Sequence, residues 1–167
     1  MSYFIFGSFD LYENKNSLQD VKSYGEKKDV YFWYDEEITF YKDIVKMCIE
    51  QNSYGNVKFA LTSFNQKYNS SDLLFPYDKY TNEELFKDKS RKYFCQCCEN
   101  NLRIVFDCLG KLVEISAPFH LEIFVVEGYD DIFERKNCTL KEMEEDLLYQ
   151  IETESFIDSC IYQIHYL

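Results

Sequence analysis

The stretch from Leu102 to Glu127 constrains the fold of this chain more than any other part of its sequence. It contains three short runs rich in Val, Ile, Leu and Phe, separated first by Gly110 and then by Pro118. Runs of β-branched and aromatic residues between turn-forming residues are typical of antiparallel strands. The stretch therefore predicts a three-stranded antiparallel meander over about 102–127 that supplies much of the core.

The turn at Asp107–Gly110 leaves two registers open for the first hairpin of this meander. A type I turn followed by Gly110 in a left-handed bulge places Val105 opposite Val113. A two-residue loop instead pairs Phe106 with Val113. A change of one residue in register moves every side chain of a strand to the other face, so the two alternatives predict different cores.

Four other segments have the composition of strands. Ser2–Tyr12 is apolar at both parities, which is typical of a strand that is buried on both faces. Val30–Tyr34 and Val57–Phe64 are shorter, and Phe156–Leu167 ends the chain with alternating residues. By contrast, Glu13–Lys28 is polar and predicts a surface loop, with room for one helical turn.

Three helices are predicted, at about 36–52, about 82–94 and about 140–153. The first has apolar residues at spacings of three and four, and the other two follow capping boxes that begin at Thr81 and Thr139. The acidic segment 128–137 predicts a turn before the last helix. Helices that pack on a mainly antiparallel sheet, formed by the meander and the N- and C-terminal strands, give an α+β fold.

Size and composition indicate one folded domain over residues 1–167. Hydrophobic residues make up 46% of the chain and aromatic residues 19%, which is enough to build a core without cross-links. The 30 acidic residues exceed the 18 basic residues, so the formal net charge is −12. A field of this sign repels phosphate backbones and attracts basic proteins, which argues against nucleic-acid binding.

The N-terminus and the hydropathy of the chain favour a cytoplasmic protein. The N-terminus has no positively charged region, and Gly7 and Ser8 interrupt its apolar run, which argues against a secretory signal peptide. No apolar run approaches the roughly 20 residues that a membrane-spanning helix needs, so we expect no membrane contact. The number of cysteines, seven, is odd, and we expect reduced thiols in this compartment.

Cys95, Cys97 and Cys98 form a dense cluster of potential metal ligands. A structural zinc site usually requires a second pair of ligands at a spacing such as C-x2-4-C or H-x3-5-H, which the sequence lacks. Cysteine is also among the residue types that are most often buried. The sequence therefore predicts structural cysteines and no cofactor, while a metal-binding or redox-regulatory protein that uses this cluster is the alternative function.

The sequence has no catalytic or phosphate-binding motif. It lacks the G-x-G-x-x-G, Walker, G-x-S-x-G and H-E-x-x-H patterns, and only five glycines are available for a phosphate-binding loop. A hydrolase that uses His120 with Glu122 or Glu114 is a third hypothesis, because His is a common general base. Neither pair belongs to a motif, so we expect a protein that is not an enzyme.

Acidic residues occur in blocks, with aromatic residues between them. Charges that complement a partner, together with aromatic anchors, are the elements of a tight protein interface. A solvated surface gives the same pattern without any partner. The candidate residues for binding a basic protein are Trp33, Asp35, Glu36, Glu37, Tyr129, Asp130, Asp131, Glu142, Glu145, Asp146 and Tyr149.

In size, acidity and composition, the chain resembles the immunity proteins of bacterial polymorphic toxin systems, including those of contact-dependent growth inhibition. Members of that group bind a cognate toxin domain, often a basic nuclease, and block its active site. The resemblance involves no motif, so it assigns neither a residue nor a fold. It implies a stoichiometric inhibitor whose acidic side chains take the place of the phosphates that the toxin binds.

Overall fold

The computed structural model describes residues 2–11, 16–39, 55–64, 67–76, 90–117, 120–128 and 134–165. These segments form six strands and four helices, in an α+β fold whose sheet is mostly antiparallel. In chain order, the elements are β1 (Tyr3–Phe9), α1 (Asn16–Glu26), β2 (Tyr31–Tyr34), β3 (Val57–Thr62), α2 (Ser71–Leu74), α3 (Ser90–Ile115), β4 (Leu121–Glu127), β5 (Glu134–Cys138), α4 (Leu140–Glu154) and β6 (Cys160–Ile164). None of the described helices is both long enough and apolar enough to cross a membrane.

The sheet has the strand order β2-β3-β1-β4-β6-β5, and every neighbouring pair is antiparallel except β5 and β6. β1 lies inside the sheet and all seven of its residues are buried, as the apolar pattern of Ser2–Tyr12 predicts. The strands predicted in Val30–Tyr34, Val57–Phe64 and Phe156–Leu167 are also confirmed, as β2, β3 and β6.

The predicted meander is wrong for its first two strands, because 102–115 belongs to the long helix α3. Leu102, Val105, Leu109 and Leu112 are each at most 1% exposed, and their spacings of three and four place them on one face of a helix. This helical period outweighs the strand propensity of the individual residues. Neither hairpin register occurs, and only the third run of the stretch forms a strand, β4.

Two predicted helices are tested only in part. Asp35–Glu37 forms a single 3-10 turn, and residues 40–54, which contain most of the helix predicted at about 36–52, lie outside the described residues. The helix predicted at about 82–94 overlaps α3, which continues well beyond the predicted end. Residues 77–89, with the capping box of that helix, also lie outside the described residues.

The third predicted helix is confirmed as α4. Thr139 Oγ1 accepts a hydrogen bond from the backbone N–H of Glu142 (3.1 Å), which is the N-cap contact that the sequence pattern predicts. The turn predicted over 128–137 is wrong at its second half, where Glu134–Cys138 forms β5. This strand escapes prediction because four of its five residues are polar or charged, so it lacks the apolar alternation of a half-buried strand.

The loop predicted over Glu13–Lys28 is wrong, because α1 occupies most of it. Leu18, Val21 and Tyr24 recur every three residues and pack against the main core. A sparse apolar stripe of this kind is sufficient for a helix when the sheet and α3 supply the packing surface.

The two faces of the sheet differ in what they bury. The first face packs against the helices and forms the main core, to which β4 contributes Ile123 and β6 contributes Tyr162. On the second face, cross-strand neighbours form rows across the sheet. One row is mostly apolar and consists of Trp33, Ala60, Phe6, Phe124, Ile161 and Arg135. The next row is entirely polar and consists of Lys58, Ser8, Glu122, Gln163 and Asn137.

Candidate functional site

β5 forms an exposed edge of the sheet. Its solvent-exposed residues are Glu134, Arg135 and Asn137. The carbonyl oxygen of Cys138 accepts a hydrogen bond from the backbone N–H of His165 (3.1 Å), so the polar backbone groups of Cys138 point toward the β6 side. Because these groups alternate in direction along a strand, those of Arg135 and Asn137 point away from the sheet.

Two ion pairs hold β5 to the rest of the fold, one on each face of the sheet. Arg135 Nη1 lies 3.0 Å from Glu122 Oε1 of β4, on the second face. Lys136 Nζ lies 3.0 Å from Asp146 Oδ2 of α4, on the first face. Adjacent residues of a strand point to opposite faces, so both cations of β5 are directed inward and their charges are compensated there.

The carboxylate of Glu122 is buried in the polar row of the second face. Its side chain is 6% exposed, and its cross-strand neighbours are Ser8 and Gln163. Arg135 satisfies Oε1, whereas Oε2 has no hydrogen-bond partner within the part of the chain that is described. A buried charge is costly unless it is paired, so Arg135 is the residue that makes this carboxylate tolerable.

Asp146 is an internal hydrogen-bond acceptor. Besides the ammonium group of Lys136, its Oδ2 accepts hydrogen bonds from Tyr162 Oη (2.7 Å) and Gln150 Nε2 (3.3 Å). Burial and the hydrogen bond to Asp146 raise the pKa of Tyr162 far above its usual range. Burial alone would lower the pKa of Lys136, but the hydrogen bond and charge of Asp146 outweigh burial and raise it. Asp146 therefore joins α4 to β5 and β6.

The outer side of α4 carries an acidic stripe with one aromatic residue, which we call the acidic face: Glu142, Glu145, Tyr149 and Glu152. All four residues are exposed, and their spacings of three and four place them together, opposite the buried residues of the helix. Tyr149 is 65% exposed. Burial, and then the charge of Glu142, raise the pKa of the Cys138 thiol to about 11. The backbone N–H of Glu142 donates a hydrogen bond to Thr139, the residue that follows β5, so Glu142 lies near the end of this strand.

Asp35, Glu36 and Glu37 lie beside β2, at the opposite edge of the sheet from β5, and all three are exposed. Two of them have structural contacts. Asp35 Oδ1 accepts a hydrogen bond from the backbone N–H of Lys58 (2.9 Å), and Glu37 Oε1 accepts one from the backbone N–H of Tyr34 (3.1 Å). These contacts close the end of β2, so the acidic turn has a role in the fold that needs no partner.

Trp33 is half-buried on the second face. Its Nε1 donates a hydrogen bond to Thr62 Oγ1 (2.8 Å), and Lys22 Nζ lies 5.6 Å from the centre of its ring. The structure thus brings Glu142, Glu145 and Tyr149 together and places Trp33 across the sheet from them. The remaining candidates, Tyr129, Asp130 and Asp131, lie outside the described residues.

The cysteine cluster lies on α3, where Cys98 is fully buried in the main core. Burial, followed by the neighbouring Cys95 and Cys97, raises the pKa of the Cys98 thiol to about 12, so this thiol stays protonated at neutral pH. Among the described residues, no group of three or more His, Cys, Asp or Glu side chains is arranged to hold a metal ion. No described contact favours the metal-binding or redox alternative.

His120 pairs with a different carboxylate from those that the sequence suggests. Its Nδ1 lies 2.7 Å from Asp10 Oδ2, and its side chain is 53% exposed. Glu122 is instead paired with Arg135, and Glu114 lies 3.8 Å from the ammonium group of Lys111. The contacts of His120 therefore give no support to the hydrolase hypothesis in the form in which the sequence suggests it.

Reasoning from the sequence missed Glu122, Arg135 and Lys136 as a connected set. The single signal for Glu122 is its position as a charged residue between Leu121 and Ile123 near the start of an apolar strand, which is typical of a buried and paired charge. The segment that holds Arg135 and Lys136 has no apolar alternation, so neither the strand nor the inward direction of its cations is visible in the sequence.

Comparison with protein-family models, with curated proteins and with solved structures gives no match for this chain. Its function is therefore inferred from the charges and contacts of the described residues.

Proposed function

We propose that this protein binds a basic protein partner in the cytoplasm, and that it is an immunity protein that blocks a cognate toxin domain such as a nuclease. The observation that supports this proposal is the acidic face of α4. There, three exposed carboxylates lie along the same side of a helix as the exposed ring of Tyr149. Aromatic anchors next to charges that complement a partner are typical of tight, selective interfaces.

Glu142 lies in the first turn of α4, where the helix dipole favours an acidic residue, but two other features of the acidic face do not help the helix to form. Glu142 and Glu145 are three residues apart and repel each other across one turn. Glu152 lies near the C-terminal end, where the helix dipole favours cations, and the last turn contains no basic residue. The repulsion costs about 0.2–0.5 kcal/mol of helix stability, and the acidic residue near the C-terminal end costs about 0.3–1 kcal/mol. A binding role accounts for charges that folding alone disfavours.

The net charge of −12 gives the proposed interaction its long-range component. A strongly charged surface speeds the encounter with a partner of opposite charge. After the encounter, the carboxylates of the acidic face would pair with Lys or Arg side chains of the partner, and Tyr149 would fill a pocket among them. In a nuclease, cations that normally bind substrate phosphates would then be occupied by Glu142 and Glu145, and the substrate could not enter.

The test is capture of the partner by the tagged protein from a lysate of the cells that produce it. We expect a basic protein at one-to-one stoichiometry, whose toxic or nuclease activity falls when the complex forms. The triple variant Glu142→Lys, Glu145→Lys, Glu152→Lys should lose the partner. The triple variant Asp20→Lys, Glu26→Lys, Glu114→Lys should retain it, because these three exposed residues lie on other helices.

The second variant is a matched control for net charge. Each reversal adds two positive charges, so both variants change the net charge from −12 to −6. Equal loss of binding in the two variants would show that only the overall charge matters and would remove the acidic face as the binding surface. A captured partner that is acidic, or no captured partner at all, would contradict the proposed function.

A further inference from the structure

A cavity of about 300 Å³ lies between α1 and the C-terminal end of α3. On α1 it is lined by Ser17, Asp20, Val21 and Tyr24, whose spacings of three and four place them on one side of the helix. Packed helices normally leave few voids larger than a water molecule, and pockets that bind small molecules begin at about this volume. The cavity therefore has the size of a small binding site.

Two polar groups of α1 line this cavity without a partner among the described residues. Ser17 is only 9% exposed, and its hydroxyl group makes no hydrogen bond within the described part of the chain. Asp20 lies one turn further along the helix, is exposed, and has neither an ion pair nor a hydrogen bond to any described residue. Because an unpaired buried polar group is costly, a hydroxyl group of this kind usually bonds to a water molecule or a ligand.

Tyr24 lies at the other end of the cavity, and its ring is already in contact with cations. Lys28 Nζ and Lys111 Nζ lie 5.0 Å and 5.1 Å from the centre of the ring. Another cation placed at this ring would be repelled by both ammonium groups. The end of the cavity at Ser17 and Asp20 has no such positive charge, so a cationic ligand would place its charge there.

The charges that line the cavity favour a cation over an anion. The carboxylates of Asp20 and Glu114 outnumber the one ammonium group in the lining, that of Lys111, which lies 3.8 Å from Glu114. The C-terminal end of a helix also carries a partial negative charge, and α3 ends at the cavity with no basic residue in its last turn. An anion would be repelled by both features.

We infer that the cavity binds a small, free organic cation with a short hydrocarbon chain. Its ammonium group pairs with the carboxylate of Asp20 and donates a hydrogen bond to the hydroxyl oxygen of Ser17. Its hydrocarbon part packs against Val21 and Ile115, which supply apolar surface in the lining. None of these residues belongs to the acidic face, so the inference does not rest on the proposed function.

The test titrates the protein with n-butylammonium chloride at constant ionic strength and follows the amide signals of Ser17 and Ile115 by NMR. 1-Butanol has a chain of the same length without the charge, and sodium butyrate carries the opposite charge. We expect saturable binding of butylammonium, with a dissociation constant lower than that of 1-butanol by about tenfold or more, because hydrogen bonds between charged groups are the strong ones. Butyrate should not bind.

Two substitutions locate the charged end of the ligand. Asp20→Asn should raise the dissociation constant of butylammonium about tenfold or more, and Ser17→Ala about threefold. Asp20 is exposed and has no partner among the described residues, so its variant should fold normally. Glu26→Gln is the matched control, because Glu26 is exposed on the same helix but does not line the cavity, and its affinity should equal that of the wild-type protein.

Equal affinities for butylammonium and 1-butanol would overturn the inference, as would an Asp20→Asn variant that binds butylammonium as tightly as the wild-type protein. No saturable change at about 50 mM butylammonium would also overturn it. Asp20→Asn should leave capture of the basic partner unchanged. If it weakens capture, a lysine side chain of the partner occupies the cavity and the assignment to a free cation is wrong. The titration uses no partner, so its result does not depend on the proposed function.

Discussion

The two edge strands of the sheet are built in opposite ways. β2 consists of four aromatic residues without a charge, and the backbone groups at its ends are already bonded: the N–H of Val30 to the carbonyl oxygen of Gly25 (2.9 Å), and that of Tyr34 to Glu37 Oε1 (3.1 Å). β5 is polar and exposed, and two ion pairs hold it in place.

This difference shows how one fold can use two kinds of edge strand, one with largely buried aromatic side chains and one with exposed polar side chains. An uncharged aromatic edge invites pairing with any exposed strand, so it must be covered. A charged edge discourages such indiscriminate pairing, so its side chains can remain exposed. The helix that carries the acidic face lies beside the charged edge, because Asp146 of α4 is paired with Lys136 of β5.

The largest expected effect is the loss of a buried aromatic residue from β2. Phe32→Ala should lower the free energy of unfolding by about 3–5 kcal/mol, because the side chain is fully buried and its removal leaves a cavity. Asn137→Ala, at the other edge, should change it by less than about 0.5 kcal/mol. Urea unfolding measures both. Similar losses at the two sites would remove the distinction between a core-like edge strand and one whose side chains are exposed.

The next effect concerns the ion pair on the second face. Arg135→Ala should cost about 2–3 kcal/mol, because it leaves the Glu122 carboxylate buried without a counter-charge. In a Glu122→Gln background the same change should cost less than about 1 kcal/mol, since the buried charge is already absent. A cost of Arg135→Ala that is the same in both backgrounds would show that Arg135 acts through packing alone.

The ion pair on the first face should contribute less. Asp146→Asn is expected to cost about 1–2 kcal/mol, because it weakens the contacts of Asp146 with Lys136 and Tyr162. The pKa of Lys136 is raised in the folded protein, so the folded state holds this proton more tightly than the unfolded state. The contribution of the pair is therefore complete below the ordinary lysine pKa of about 10.4 and declines as the pH rises further.

This decline can be measured as the difference in unfolding free energy between the wild-type protein and Asp146→Asn at pH 8 and at about pH 11. The difference should shrink at the higher pH. Buried thiols such as Cys98, whose pKa burial raises to about 12, also destabilise the fold at alkaline pH, but the causes of that shift do not include Asp146, so their effect cancels in the comparison. A difference that grows with pH would contradict the direction assigned to Lys136.

The smallest effect on stability is expected on the acidic face. Glu145→Lys should change the unfolding free energy by less than about 0.5 kcal/mol, because Glu145 is exposed. The neighbouring change Asp146→Lys should destabilise the protein, since Asp146 lies among internal hydrogen bonds. Thermal unfolding separates the two variants. Only Glu145→Lys can then be used to map the partner, and a destabilised Glu145→Lys variant would show that the acidic face is structural.

The sequence correctly predicts those elements whose apolar pattern fits either a helix or a strand, but not both. α4 has both an N-cap at Thr139 and an apolar stripe, and β1 is apolar at both parities, so both are predicted correctly. α3 is mistaken for two strands because a run that is rich in Val, Ile and Leu satisfies the composition of a strand, while its helical spacing is visible only over a longer window.

The candidate site can be predicted from the sequence only where its residues lie close together along the chain. Glu142, Glu145 and Tyr149 share one helix face, which their spacing reveals. The pair of Arg135 with Glu122 depends on β5 and β4 both lying beside β6, and no sequence pattern specifies that order. For the same reason the sequence could not show that Asp146, unlike Glu145, points into the fold.

The most direct test of the account is the dependence of the association rate on salt. With the captured partner, the rate constant for wild-type protein should fall about tenfold or more between 20 mM and 500 mM NaCl, because screening shortens the range over which the net charge of −12 acts. The variant Glu142→Lys, Glu145→Lys, Glu152→Lys should associate more slowly and depend less on salt. A rate constant that is unchanged over this range would contradict recognition through the acidic face.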